Sequence, residues 1–177
     1  MPNIKPFRDV DEHDVLNFFK YSGTLPVSKG TLVKIVSGVV SDQQLSLDAA
    51  NGAAFANTAN PRWSVKPFVT LCQSGDAPLG MLLYDVREVD ENGEILLFNP
   101  RKQAEMQCVL SGQAVPVVTK GVFMFSGISG TVTAGASLYA SYAGELTANG
   151  GTAVAPVVGK TLGNKDGNGW TLVKLDF

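Results

Sequence analysis

The 177-residue chain carries 14 Lys and Arg against 16 Asp and Glu, a formal net charge of −2, with hydrophobic residues at 45%, charged residues at 17% and 19 glycines. A charged fraction so far below the usual quarter, combined with this apolar content, excludes an intrinsically disordered chain, and the weak net charge gives no electrostatic footprint for nucleic acid or an anionic membrane surface. A single histidine, His13, excludes sites built from two or three imidazoles, and two cysteines without C-x-x-C spacing, Cys72 and Cys108, exclude a disulfide scaffold.

In chain order, residues 1–23 read as an N-terminal arm and residues 24–177 as a single β-rich domain. Pro2 and Pro6 interrupt regular structure, and the opening MPNIKPFRD has charge but no apolar run, so no secretory leader is read and synthesis in a reducing cytoplasm is expected. Asp9, Asp11, Glu12 and Asp14 then precede Val15, Leu16, Phe18 and Phe19. Acidic residues in a first turn followed by apolar residues at helical spacing predict a short helix over 11–20, ended by Gly23. An apolar segment outside a β-domain has few ways to bury its phenylalanines at home. Ile4, Phe7, Val10, Leu16, Phe18 and Phe19 are therefore candidate contacts to a partner, each buried Phe being worth about 1.5–3 kcal/mol.

The remainder gives strand and turn signals. TLVKIVSGVV over 31–40 is β-branched, and residues 41–64 are loop-like, with Arg62 and Trp63 side by side. That pair has the composition of an interface hot spot, and Trp63 capping the domain's own core is the other reading. Strands are predicted over 67–72 and 79–89. Asn92-Gly93, between VREVD and EILLF, predicts a hairpin with a type I′ turn. Further strands are predicted over 105–110, 114–125, 137–142, 152–158 and 170–175, with turns at 148–151 and 166–169. No strand alternates with a long helix, so the fold class is mainly β, a small antiparallel β-barrel or sandwich-like domain with an N-terminal arm carrying a short helix. From Met106 to Gly159 the only charged side chains are Lys120 and Glu145. So charge-poor a segment suits β-structure whose outer faces are partly covered by oligomerisation or docking, or else a neutral surface solvated by Ser and Thr.

The candidate chemistry is thin. Gly159-Lys160-Thr161 imitates the end of a phosphate loop, but the first glycine of that motif would fall on Val154, so a strand end and turn is expected. Asp85, Glu88, Asp90, Glu91 and Glu94 match no EF-hand spacing and read as a solvated hairpin tip, and the acids around His13 read as a helix start. Cys72 (VTLCQ) and Cys108 (MQCVL) lie in apolar strand patterns and are expected as buried thiols. A Cys–His nucleophile would need one of them beside His13. No G-x-S-x-G elbow is present. No catalytic, cofactor or metal residue is expected.

Four stretches of the C-terminal half carry a family likeness: Gly121-Val122-Phe123; Gly130-Thr131-Val132-Thr133-Ala134-Gly135-Ala136-Ser137-Leu138-Tyr139; Val157-Val158-Gly159-Lys160-Thr161-Leu162-Gly163; and Thr171-Leu172-Val173-Lys174-Leu175. Together with Leu25-Pro26-Val27-Ser28-Lys29-Gly30-Thr31-Leu32-Val33, they resemble the head decoration (cement) proteins of tailed bacteriophages. The resemblance implies a β-rich fold, a location on the capsid exterior, the major capsid protein and further copies of the chain as partners, a homo-oligomer with a trimer favoured, and a role in reinforcing the shell against internal pressure. From composition and motifs, no cofactor, nucleic acid or membrane is expected. A head-fibre base or tail component, a ligand-binding β-barrel and a small Cys–His hydrolase are the competing readings.

Overall fold

The computed structural model describes residues 3–38, 67–149 and 156–177, and β-strands organise most of them. Six strands form one antiparallel sheet. In spatial order they are β1 (Asn3–Pro6), β9 (Lys120–Ser126), β13 (Trp170–Asp176), β12 (Val157–Thr161), β10 (Ser137–Ala140) and β11 (Leu146–Thr147). Five more close into a barrel in the order β2 (Val15–Tyr21), β4 (Phe68–Leu71), β3 (Leu32–Ser37), β5 (Gly80–Leu82) and β8 (Ala114–Val118). Within the barrel β2 and β4 run parallel and the other pairs antiparallel. A short parallel pair, β6 (Asp85–Val86) and β7 (Cys108–Val109), frames a lobe that also holds a one-turn 3-10 segment, Leu96–Phe98, and a short helix α1 (Pro100–Glu105). The mainly β, barrel-containing fold matches the expectation from sequence.

Two cores share one wall. Leu32, Met81 and Val118 join Ile4, Phe123, Phe125, Leu138, Val173 and Leu175 beneath the six-stranded sheet. Their chain neighbours Val33, Leu82 and Val117 point the other way and fill the barrel with Val69, Val115, Phe19 and Tyr21. Alternation along β3, β5 and β8 thus delivers an apolar side chain to each core in turn, which is why LV, ML and VV are continuous apolar pairs there. By contrast, in β13 only Thr171, Val173 and Leu175 are buried, alternating with Trp170, Leu172, Lys174 and Asp176 on the outer face.

Residues 3–21 do not form an arm outside the domain. β1 adds to the edge of the six-stranded sheet through β9, and β2 closes the barrel between β4 and β8. The helix expected over 11–20 is instead a single 3-10 turn, Glu12–Asp14, followed by strand β2. The reason is a bulge. Leu16 pairs with Val117 and Phe19 with Val115, so β2 spends three residues where β8 spends two, and the extra residue gives its apolar positions a helix-like spacing. The Asp11 side chain accepts the His13 backbone N–H and caps the turn.

Other elements differ in detail. The expected strand over 105–110 is reduced to β7, because Asn99-Pro100 starts α1. The Asn99 Oδ1 accepts the Lys102 N–H at 3.3 Å, and Pro100 occupies the first helical turn, where no N–H is needed. The Asn92-Gly93 turn forms, with Val89 opposite Ile95, but only Gly93 takes a positive φ (86°), so it is a three-residue loop rather than type I′. Predicted strand 79–89 is split into β5 and β6, and 114–125 is split at Thr119. Residues 159–161 end strand β12 as expected. Arg62, Trp63 and the whole 41–64 segment lie outside the described residues.

Candidate interaction surface

Both thiols are buried and the single histidine is exposed. Cys72 is fully buried in the core under the six-stranded sheet, and its thiol pKa is pushed up to about 12 by burial, with the charge of Asp76 adding and that of Lys34 opposing. Cys108 is buried beside Leu96 and Leu110, and burial raises its pKa too, with a further push from Asp85. His13, in contrast, is 83% exposed at its side chain, with Nδ1 2.9 Å from Asp11 Oδ1. A thiol this basic remains protonated at neutral pH and is a poor nucleophile. Among the described residues no group of three or more His, Cys, Asp and Glu is placed to hold a metal ion, and no helix is long and apolar enough to cross a membrane.

The acidic cluster is more structural than its sequence suggests. The Asp90 side chain is buried and accepts the N–H groups of Asn92 at 2.8 Å and Glu94 at 2.7 Å, and Lys102 Nζ donates to it. Lys102 Nζ also lies 3.4 Å from Glu94 Oε2. The hydrogen bond from Lys102 holds the Asp90 carboxyl below the usual carboxylate range. Asp85 accepts the Lys29 backbone N–H at 2.8 Å and so ties the lobe to the barrel. Asp90 is thus the hub of the turn, a correction to the solvated-tip reading, while Glu88 and Glu91 remain exposed. On the outside of the same lobe, Val89, Ile95, Leu97 and Phe98 are exposed, Phe98 to 79%.

The outer face of the six-stranded sheet is a second exposed apolar surface with the opposite charge. Alternation from the buried Ile4, Phe123, Phe125, Val173 and Leu175 turns Lys5, Val122, Met124, Trp170, Leu172 and Lys174 outward. Register brings them together. Met124 faces Lys5 on one side and Leu172 on the other, Val122 faces Lys174, and Lys174 faces Lys160. Lys5 Nζ lies 4.8 Å from the centroid of the Trp170 ring, a cation–π contact. Phe7, just past β1, donates its N–H to the Val122 carbonyl at 3.1 Å and is 54% exposed.

The six candidate contact residues of the N-terminal segment therefore separate. Ile4 and Phe19 are buried in the protein's own two cores, and Val10 and Leu16 are half-buried, Val10 against the core under the sheet. Phe7 and Phe18 are exposed, Phe7 beside the six-stranded sheet and Phe18 on the outside of β2. Sequence reasoning missed the lysine-bearing sheet face, whose members come from four separated strands. Compared with known families and curated proteins, the chain matches no family model and no curated protein.

Proposed function

We propose that this protein is a structural component of a virus particle, a decoration or cement protein that binds the outer surface of a tailed-phage capsid. Its partners are the major capsid protein and further copies of itself, with a trimer favoured by the family resemblance. The observation that carries this reading is that the described residues offer exposed apolar surfaces and buried thiols. Side chains fill the barrel interior, both thiols are buried, and large apolar side chains stand on three separate faces. These are Phe18 and Val36 on the outside of the barrel, Phe7 and Met124 on the six-stranded sheet, and Ile95 and Phe98 on the lobe. A second support is spatial. The four C-terminal stretches that carry the resemblance fall on or lead into β9, β13, β12 and β10, which are consecutive neighbours in one sheet.

A filled barrel also argues against the ligand-binding alternative, since a small-molecule site needs a concave apolar pocket with converging polar groups. Cementing then works by multivalency. Each contact with the shell is modest, but linking copies makes later contacts intramolecular and raises avidity by about 10² to 10⁴. Binding the assembled shell better than its free subunits stabilises the shell by mass action. The face assigned to the shell is the barrel's outside around Phe18. In the test, purified protein is sedimented with capsids that lack it: the full chain is expected in the pellet, and Phe18→Ser is expected largely in the supernatant with its fold intact. Absence of the full chain from the pellet with both compact and expanded shells overturns the reading.

A further inference from the structure

We propose that the outer face of the six-stranded sheet in one copy binds the acidic 84–105 lobe of a second copy, in a head-to-tail contact. The inference specifies the self-association included in the function proposed above, and it is tested on the purified protein without any capsid, so either can fail alone.

The six strands of the sheet carry Lys5, Lys120, Lys160, Lys174 and one carboxylate, Asp176, all on the outer face. Residues 84–105 carry six carboxylates against three basic side chains, Arg87, Arg101 and Lys102. A chain with a net charge of only −2 therefore holds two patches of opposite sign, and each patch displays large apolar side chains. Phe7, Met124 and Leu172 lie on the basic face, and Val89, Ile95 and Phe98 on the acidic one.

Within the basic face Lys120 pairs with Asp176 at 3.9 Å and Lys5 with the Trp170 ring, but the other two lysines face each other. Lys160 and Lys174 stand directly opposite each other across β12 and β13, and like charges in that position destabilise a strand pair. Between them and Asp176 lies a surface depression of about 360 Å³. A carboxylate from outside would relieve the repulsion. Glu88 and Glu91 are exposed and can supply one, whereas Asp85 and Asp90 are held by the lobe's own hydrogen bonds.

Charge also selects the geometry. Pairing two sheet faces would set lysines against lysines, and pairing two lobes would set carboxylates against carboxylates, so both isologous dimers are disfavoured. The face-to-lobe contact is the arrangement in which signs match and both apolar patches are covered. Such a heterologous contact closes into a ring when its rotation permits.

The test is a charge exchange read by sedimentation velocity. One variant reverses the face (K160E with K174E), and the other reverses the lobe (E88K with E91K). All four side chains are exposed or half-buried at the surface, and circular dichroism checks that the folds are kept. The wild type is expected to self-associate more at low salt than at high salt, each variant alone to sediment as a monomer, and a mixture of the two to associate again, because the contact between unlike variants pairs opposite charges. A wild type that stays monomeric at the highest soluble concentration overturns the proposal. So does either variant assembling as the wild type does, or a mixture of two monomeric variants that fails to assemble.

Discussion

The wall shared by the two cores and the outer six-stranded sheet differ in what their second face meets. β5, the start of β3 and the end of β8 bury both faces, with Leu32, Met81 and Val118 on one side and Val33, Leu82 and Val117 on the other. β9 and β13 bury one face and leave Met124, Leu172 and Lys174 on the other. The doubly buried stretches have no surface to offer a partner and act as scaffold, whereas the far end of β3 emerges and leaves Ile35 and Val36 exposed. The outer sheet concentrates apolar area and unbalanced charge where a neighbour can reach it. Structural roles and contact roles are thus carried by different residues, at times on one strand, as with Phe19 and Phe18 on β2, and mutations should sort accordingly.

The largest effect should come from removing the strands that join the two regions. A chain starting at Leu25 loses β1 and β2, and with them Ile4 from one core and Phe19 and Tyr21 from the other, while the barrel is left open between β4 and β8. It is expected to lack a cooperative thermal transition by circular dichroism, and a normal transition would break the distinction between scaffold and surface.

A sharper comparison uses one residue type in two places. Met81 is fully buried in the shared wall, and Met124 is 37% exposed on the outer face. Met81→Ala should cost about 2–5 kcal/mol in denaturant unfolding, from lost burial and the cavity left behind. Met124→Ala should change stability by no more than about 0.5 kcal/mol. Equal costs would mean that the outer face is covered within the monomer.

The smallest effect is local to the lobe. Lys102 and the N–H groups of Glu94 and Asn92 favour the ionised Asp90, so its folded pKa lies below the value of about 3.9 for a free aspartate. The linked stability is present above that unfolded value and is lost as pH falls through the lower folded one. The amide signals of Asn92 and Glu94 are therefore expected to hold steady from neutral pH to about pH 5 and to shift below about pH 4, and Asp90→Asn should remove that transition.

How far the sequence reveals this molecule depends on how local the cause of each feature is. β13 and the turn before it are legible because their causes are nearby. WTLVKLD alternates with period two, and the Asp166 side chain accepts the Asn168 and Trp170 N–H groups to close the turn. The helix expected over 11–20 fails because a bulge in β2, required by its pairing to a strand a hundred residues away, counterfeits helical spacing. Helix α1 left a readable signal, Asn-Pro followed by Arg-Lys-Gln-Ala-Glu, which the apolar pattern on either side obscured. The exposed Phe7 and Phe18 could not be told in the sequence from the buried Ile4 and Phe19, because all four stand in one apolar N-terminal pattern. The basic face was not legible either, because Lys5, Lys120, Lys160 and Lys174 are spread along nearly the whole chain and become neighbours only through strand order.

The most direct test of the account is hydroxyl-radical footprinting of the protein free and bound to capsids. The account predicts that Phe18 and Val36, on the outside of the barrel, lose reactivity when the protein is on the shell, while the already buried Met81 remains unreactive in both states. Capsid-bound protein in which Phe18 and Val36 react as they do in solution would contradict it.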